Sequence, residues 1–118
     1  MTPNDLVRIE DKEGIKVIHL KGHLDLETAP RMKPPLMEEA ERPHCKIVLD
    51  MEFMYYISSF GLSLLLQLND RVKASKGSLA LAALNPFAKQ VFDTTQLTTI
   101  FKIYDSVDAA IKALSQPQ

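Results

Sequence analysis

The chain is expected to fold as an α/β domain: a mixed, largely parallel sheet of about five strands, with an N-terminal hairpin and about four helices. Short runs rich in Val, Ile and Leu alternate with longer helix-like segments, which is the order typical of parallel strands joined by helices. A turn-like segment at residues 11–14 contains a glycine and indicates an antiparallel hairpin. A length of 118 residues fits one domain, so residues 1–118 are expected to form a single unit.

The strands are predicted from the alternation of apolar and polar side chains, from β-branched residues and from the turns between them. They are expected over residues 6–10, 15–21, 46–50, 78–84 and 100–104. Gly14 can adopt the positive φ that closes the turn between the first two strands. The third strand has an apolar interior and is expected at the buried centre of the sheet. A loop that contains Tyr55 and Tyr56 is expected to follow it.

The helices are predicted from capping residues and from the sequence that follows them. They are expected over residues 28–41, 59–75, 86–94 and 107–114. Thr28, Asn85 and Ser106 can each cap a helix by accepting a hydrogen bond from a free backbone N–H. Pro34 and Pro35 conflict with the first helix, because each removes a helical hydrogen bond and crowds the preceding turn. We therefore expect a late start, a kink or a split there.

Composition and charge argue against two classes of partner. The chain has 14 basic and 15 acidic side chains, and this formal net charge of −1 does not favour binding to nucleic acid. The densest apolar stretch, residues 60–68, is far shorter than the ~20 residues of a membrane helix, and no signal peptide is visible. Cys45 is the only cysteine and fits a reducing compartment. A cytoplasmic protein with no nucleic-acid or membrane partner is expected.

The sequence contains no pattern typical of catalysis or metal binding. His19, His23 and His44 lie in different segments, without the spacing of metal ligands. Ser58 and Ser59 lack the glycine that precedes the serine of a hydrolase elbow, and no histidine follows them as a base. Glycine-rich loops for phosphates or dinucleotides are absent as well. We expect no enzyme activity, no metal ion and no cofactor.

Two segments at the carboxyl ends of strands, residues 24–28 and 51–60, are the candidate functional sites. Ligands and partners of parallel sheets bind at that edge. The second segment enters the second helix at Ser58 and Ser59. A serine there can cap the helix, and a helix N-terminus can also hold a phosphate or another anion.

A helical projection of the second helix places its apolar residues on two faces. The face expected to pack on the sheet comprises Leu62, Leu65, Leu66, Asn69 and Val72. A second ridge of Phe60, Leu64 and Leu68 lies roughly opposite. This ridge either packs on a neighbouring helix or forms an exposed surface that docks a partner.

These segments also carry a resemblance to a known family. Residues 20–25, Leu-Lys-Gly-His-Leu-Asp, are similar to the motif L-x-G-E-L-D, and residues 56–63, Tyr-Ile-Ser-Ser-Phe-Gly-Leu-Ser, stand in the place of Y-I-D-S-S/T-G-L-G. Further matches are a T-A pair, the central strand and the C-terminal segment, at residues 28–29, 47–50 and 101–110. Over residues 7–114 the chain resembles a STAS domain, specifically a bacterial anti-sigma factor antagonist.

The resemblance implies a regulatory function. Such domains bind an anti-sigma factor that is also a serine protein kinase, and phosphorylation of the first serine of the motif ends the binding. That serine falls on Ser59, with Ser58 as the alternative phosphoacceptor. The chain departs from the motif at four positions: the Asp is Ser58, the second Ser/Thr is Phe60, the second Gly is Ser63, and the Glu before Leu-Asp is His23.

The expected partner-binding surface combines the two candidate segments. It comprises His23, Asp25, Thr28, Ser58, Phe60, Gly61, Leu62, Ser63 and Leu64. We expect a monomer or weak homodimer whose partner is an anti-sigma factor serine-protein kinase. Two alternatives stay open: a constitutive STAS-type scaffold that is never phosphorylated, and a STAS domain that binds a nucleotide or another small molecule at its carboxyl-end loops.

Overall fold

Strands and helices alternate after an opening hairpin in the computed structural model, which describes residues 5–115. The five strands are β1 (Val7–Lys12), β2 (Ile15–Leu24), β3 (Lys46–Ile57), β4 (Ser78–Ala82) and β5 (Lys102–Tyr104). The four α-helices are α1 (Ala29–Ala40), α2 (Ser59–Ala74), α3 (Pro86–Thr94) and α4 (Val107–Leu114), and a short 3-10 helix spans Leu97–Thr99. The predicted fold class is confirmed.

The strands form one sheet in the order β1-β2-β3-β4-β5. β1 and β2 are antiparallel, and every other neighbouring pair is parallel. The hairpin turn consists of Glu13 and Gly14, whose φ angles of 58° and 86° are both positive. Positive φ at both central positions matches the twist of the two strands, so the predicted role of Gly14 is confirmed.

The core lies on both faces of the sheet. On one face, α1, α2 and α3 bury a large cluster that includes Leu36, Leu65 and Phe92. On the other face, α4 covers a smaller cluster that includes Val17, Val48 and Ala80. Alternate residues of β2, β3 and β4 contribute to the two clusters, because successive side chains of a strand point to opposite faces.

Helix α1 is continuous through Pro34 and Pro35, so the expected late start or split is wrong. Pro34 is exposed and Pro35 is half-buried, so water lies close to the first turn. The carbonyl groups of that turn lose their helical donors, because a proline has no N–H. Met32 and Leu36 are fully buried in the core. Their burial, together with Pro30 in the first turn, favours the helix over the break.

The predicted loop around Tyr55 and Tyr56 is also wrong, because β3 continues as a strand to Ile57. β4 ends opposite Asp50, so the last seven residues of β3 pair only with β2. Two register shifts occur in this β2–β3 pair. Each inserts one extra residue into β3, which is the mark of a β-bulge. As a result, every third residue is buried there, at Met51, Met54 and Ile57, and two exposed residues separate them.

None of the helices within residues 5–115 is both long enough and apolar enough to cross a membrane.

Candidate functional site

Parallel pairing brings the two predicted segments together at the carboxyl edge of the sheet. His23 and Leu24 at the end of β2 pair with Tyr56 and Ile57 at the end of β3. The backbone N–H of Ser58 then donates a hydrogen bond to the carbonyl oxygen of Leu24, at 2.9 Å. The start of α2 is therefore attached directly to the loop that enters α1.

The two serines at this junction have different roles. Ser58 is the N-cap of α2, and its half-buried hydroxyl accepts a hydrogen bond of 3.3 Å from the N–H of Gly61. Ser59 is the first residue of the helix and is exposed. Its hydroxyl makes no hydrogen bond to the described residues, so Ser59 is the more accessible of the two serines.

The loop between β2 and α1 is held by Asp25 and Thr28. The Thr28 hydroxyl donates a hydrogen bond of 2.6 Å to the carbonyl of His23 and accepts one of 3.0 Å from the N–H of Asp25. The Asp25 carboxylate accepts hydrogen bonds from the N–H groups of Glu27 and Thr28, at 3.0 and 3.1 Å. These donors, Thr28 first, lower the pKa of Asp25. Asp25 and Thr28 therefore shape the loop.

A groove of about 330 Å³ lies between α1 and the first turns of α2, where Phe60 follows Ser59. It is lined by Leu26, Ala29, Pro30, Lys33, Phe60, Ser63, Leu64 and Gln67. Leu26 and Phe60, both large and apolar, are 63% and 54% exposed. They form the two exposed apolar walls of the groove.

Of the two alternatives for the ridge on α2, exposure holds at Phe60 and packing on a neighbouring helix holds at Leu64 and Leu68. Leu64 is 2% exposed and Leu68 is fully buried, since both belong to the core cluster that α1 shares with α2. Leu64 therefore reaches the surface only at the floor of the groove and cannot offer a protruding side chain to a partner. On the expected sheet-packing face, Leu65, Asn69 and Val72 are buried, and Leu62 and Leu66 are partly buried against the core.

Three other predicted partner-binding residues differ in exposure. Ser63 is exposed in the groove and Leu62 is partly buried against the core. Gly61 is buried, and a Cβ atom there would lie 2.5 Å from the carbonyl oxygen of Leu24. Its role in the structure is thus to allow close contact between α2 and the end of β2.

A scan of the chain against protein-family models decides its family. The STAS domain model matches residues 7–110. The chain belongs to the STAS domain family. Strand order, hairpin and helices agree with this membership, and the resemblance noted in the sequence motifs is confirmed.

This STAS domain is similar to proteins described as anti-sigma factor antagonists. The anti-sigma F factor antagonist of Paenibacillus polymyxa is 27% identical over 92% of this chain and 93% of its own. The crystal structure of an anti-sigma factor antagonist from Mycobacterium paratuberculosis shares the fold with a TM-score of 0.83, at 24% identity over 98% of both chains. The Bacillus cell fate determinant SpoIIAA in its phosphorylated form has a TM-score of 0.67, at 19% identity over 91% of this chain and 97% of its own.

The STAS domain also exposes a row of three rings, in which the predicted residue His23 is joined by Tyr56 and Phe87. The His23 ring contacts the edge of Tyr56, with centroids 5.8 Å apart. Tyr56 stacks on Phe87 of α3 at 6.0 Å, and the two ring planes differ by 23°. Tyr56 lies in the candidate segment 51–60 but is not among the predicted partner-binding residues; the aromatic pair at residues 55–56, directly before the serines, is the signal that could identify it.

Titratable side chains in the described part of the STAS domain do not form a metal site. Within residues 5–115, no three His, Cys, Asp or Glu side chains converge in a way that could hold a metal ion.

Proposed function

We propose that this STAS domain is an anti-sigma factor antagonist that binds an anti-sigma factor with serine kinase activity. Phosphorylation of Ser59 by that kinase then ends the binding. The single observation that carries the proposal is the division of roles at the start of α2. The Ser58 hydroxyl is used as the helix cap, and the Ser59 hydroxyl is exposed and free of hydrogen bonds to the described residues.

The surface beside Ser59 supports binding to a protein partner. Leu26 and Phe60 expose apolar side chains on either side of the groove, and clustered exposed apolar groups mark interaction sites. Asp25 and Thr28 hold the loop that carries Leu26, and Gly61 keeps α2 close to that loop. In this proposal His23, Ser59, Phe60 and Ser63 contact the partner, while Asp25, Thr28, Ser58 and Gly61 position the contacting residues.

A phosphate on Ser59 would act on the interface and leave the fold intact. It adds about −1.5 to −2 charges at the N-terminus of a helix, where the helix dipole favours negative charge. The fold therefore has no reason to melt. At the interface, the same charge opposes binding, because docking would remove the anion from water.

The test combines phosphate mapping with a mimic of the modified residue. After incubation with the cognate kinase and ATP, peptide mapping should find the phosphate on Ser59. The Ser59→Asp variant should keep the melting temperature of the unmodified protein and lose partner affinity. Thr98→Asp adds the same charge at an exposed position outside the site and should change neither property. Phosphate on Ser58 alone, or a Ser59→Asp variant that melts early but binds normally, would contradict the proposal.

One observation favours a second candidate function, a scaffold that docks its partner constitutively. The family motif has an acidic residue directly before the phosphoacceptor, and this chain has Ser58 there, occupied as a cap. A chain that binds the partner but receives no phosphate would be such a scaffold. In either case the domain acts as a binding protein in the cytoplasm, without catalysis of its own.

A further inference from the structure

The outer face of the β2–β3 pair is uncovered beyond Asp50. Helix α4 packs over the first part of that face, on Ile15, Val17 and Val48. Past the end of β4, the face carries a cleft of about 560 Å³, within the size range of small-molecule sites. It is lined by Asp5, Arg8, His19, Leu20, Lys21, Phe53 and Tyr55.

Two aromatic rings reach this cleft because of the bulges in β3. His19 pairs with Asp50, but after the first register shift Lys21 pairs with Phe53. Asp50 and Phe53 are three residues apart, so in a regular strand they would point to opposite faces. The inserted residue turns Phe53 to the outer face, and Tyr55 falls at the second shift. The two rings are 50% and 57% exposed.

Among the described residues that line the cleft, one cation has no ion-pair partner. Glu10 lies 2.7 Å from both Arg8 Nη1 and His19 Nε2, and these contacts lower its pKa. Asp50 lies 2.6 Å from His19 Nδ1. Glu10 on β1, His19 on β2 and Asp50 on β3 thus form a row of contacts across three strands, and both carboxylates already have partners in it. Lys21 is exposed and forms no ion pair with any described residue, while Asp5 is the one carboxylate among the described residues that line the cleft.

We propose that this cleft binds a planar aromatic molecule that carries a phosphate or carboxylate group. The Phe53 and Tyr55 side chains supply faces and edges for contact with a flat ring. Lys21, beside Phe53 on the neighbouring strand, supplies the unpaired positive charge for the anionic group. Arg8, which is already paired with Glu10, adds a second positive charge at the cleft. The site lies on the sheet face, is built from residues other than those around Ser59, and does not depend on the proposed partner switch.

The first experiment separates the contribution of the ring from that of the anion. The ¹⁵N-labelled protein is titrated with adenosine 5′-monophosphate, with adenosine and with ribose 5-phosphate, and amide shifts are followed by NMR. The nucleotide should give saturable shifts at residues 19–22 and 53–55. Each fragment should bind about tenfold more weakly or worse, a difference of about 1.4 kcal/mol. No saturable shift at millimolar nucleotide, or equal affinity for ribose 5-phosphate, would overturn the proposal.

Matched variants test the location. Lys21→Glu and Tyr55→Ser should each weaken nucleotide binding by about tenfold or more, and Asp5→Asn should strengthen it by removing the one carboxylate at the cleft. Lys46→Glu, at the other end of β3, and Phe60→Ser, at an equally exposed ring, should leave the affinity unchanged. Spectra of each variant without ligand confirm that the fold is kept. Equal losses in the control variants would contradict the assigned site.

Discussion

The carbonyl oxygen of Leu24 lies 2.5 Å from the position that a Cβ atom at Gly61 would take. No real Cβ atom tolerates that distance to a backbone oxygen, so a larger residue forces α2 away from the end of β2. The glycine in the first turn of α2 thus decides how close the exposed residues of the two segments come. The proposed site around Ser59 therefore includes this backbone contact as well as its exposed side chains.

Gly61→Ala should destabilise the protein and weaken partner binding together. Overpacking of this kind costs about 1–3 kcal/mol, and the helix preference of alanine offsets only part of it. Urea unfolding gives the stability change, and a binding titration gives the affinity. Gly14→Ala is the control: its added Cβ meets nothing within 4 Å, and it strains only the hairpin turn at a φ of 86°, away from the site. An unchanged stability of Gly61→Ala would show that the contact relaxes freely.

Truncation of the two serines should have different effects on stability. Ser58→Ala removes the side chain that caps α2 and should lower the free energy of unfolding by about 1 kcal/mol. Ser59→Ala removes an exposed hydroxyl and should change it by less than about 0.5 kcal/mol. Denaturant unfolding of both variants measures the difference. The reverse order would mean that the capping and accessible serines are assigned the wrong way round.

Phe60→Ala should separate stability from binding. The ring is more than half exposed, so its loss should change the free energy of unfolding by no more than about 1 kcal/mol. In the proposed interface it is an aromatic anchor, and its loss should cost at least about 2 kcal/mol of partner affinity. One unfolding curve and one binding titration on the same variant test both values. Ile100→Ala, at an exposed apolar residue outside the site, should leave partner affinity unchanged.

The loop held by Asp25 should loosen in acid. The pKa of this carboxyl is lowered in the folded protein, so its charged form stabilises the loop. That contribution is complete above the unfolded pKa of about 4 and is lost as the pH falls through the lower folded value. Hydrogen exchange at the amides of Glu27 and Thr28 should therefore lose protection at that pH. Asp25→Asn should remove this pH dependence, and a folded pKa at or above the ordinary value would contradict the assignment.

Much of the fold was predictable from short-range signals. The hairpin turn at Gly14 and the caps Asn85 and Ser106 lie where the sequence predicts them, and both caps accept hydrogen bonds from backbone N–H groups three residues on. These features depend on residues within a few positions of one another. A local pattern is sufficient for them.

The largest error concerns the end of β3, and its cause is the two bulges. Burial at Met51, Met54 and Ile57 has a period of three, which matches neither a regular strand nor a helix. The sequence pattern therefore predicts a loop that contains Tyr55 and Tyr56. Pairing with β2, more than thirty residues earlier, is what makes it a strand, and it also creates the cleft that contains Phe53.

By itself, the sequence determined the order of the elements, the family resemblance and the position of Ser59 at the start of a helix. Only the tertiary structure decided which side chains of that helix remain exposed. Projection placed Phe60, Leu64 and Leu68 on one ridge, but α1 covers the last two and leaves the ring in water. Helical periodicity shows which residues share a face, whereas the burial of that face depends on elements distant in the chain.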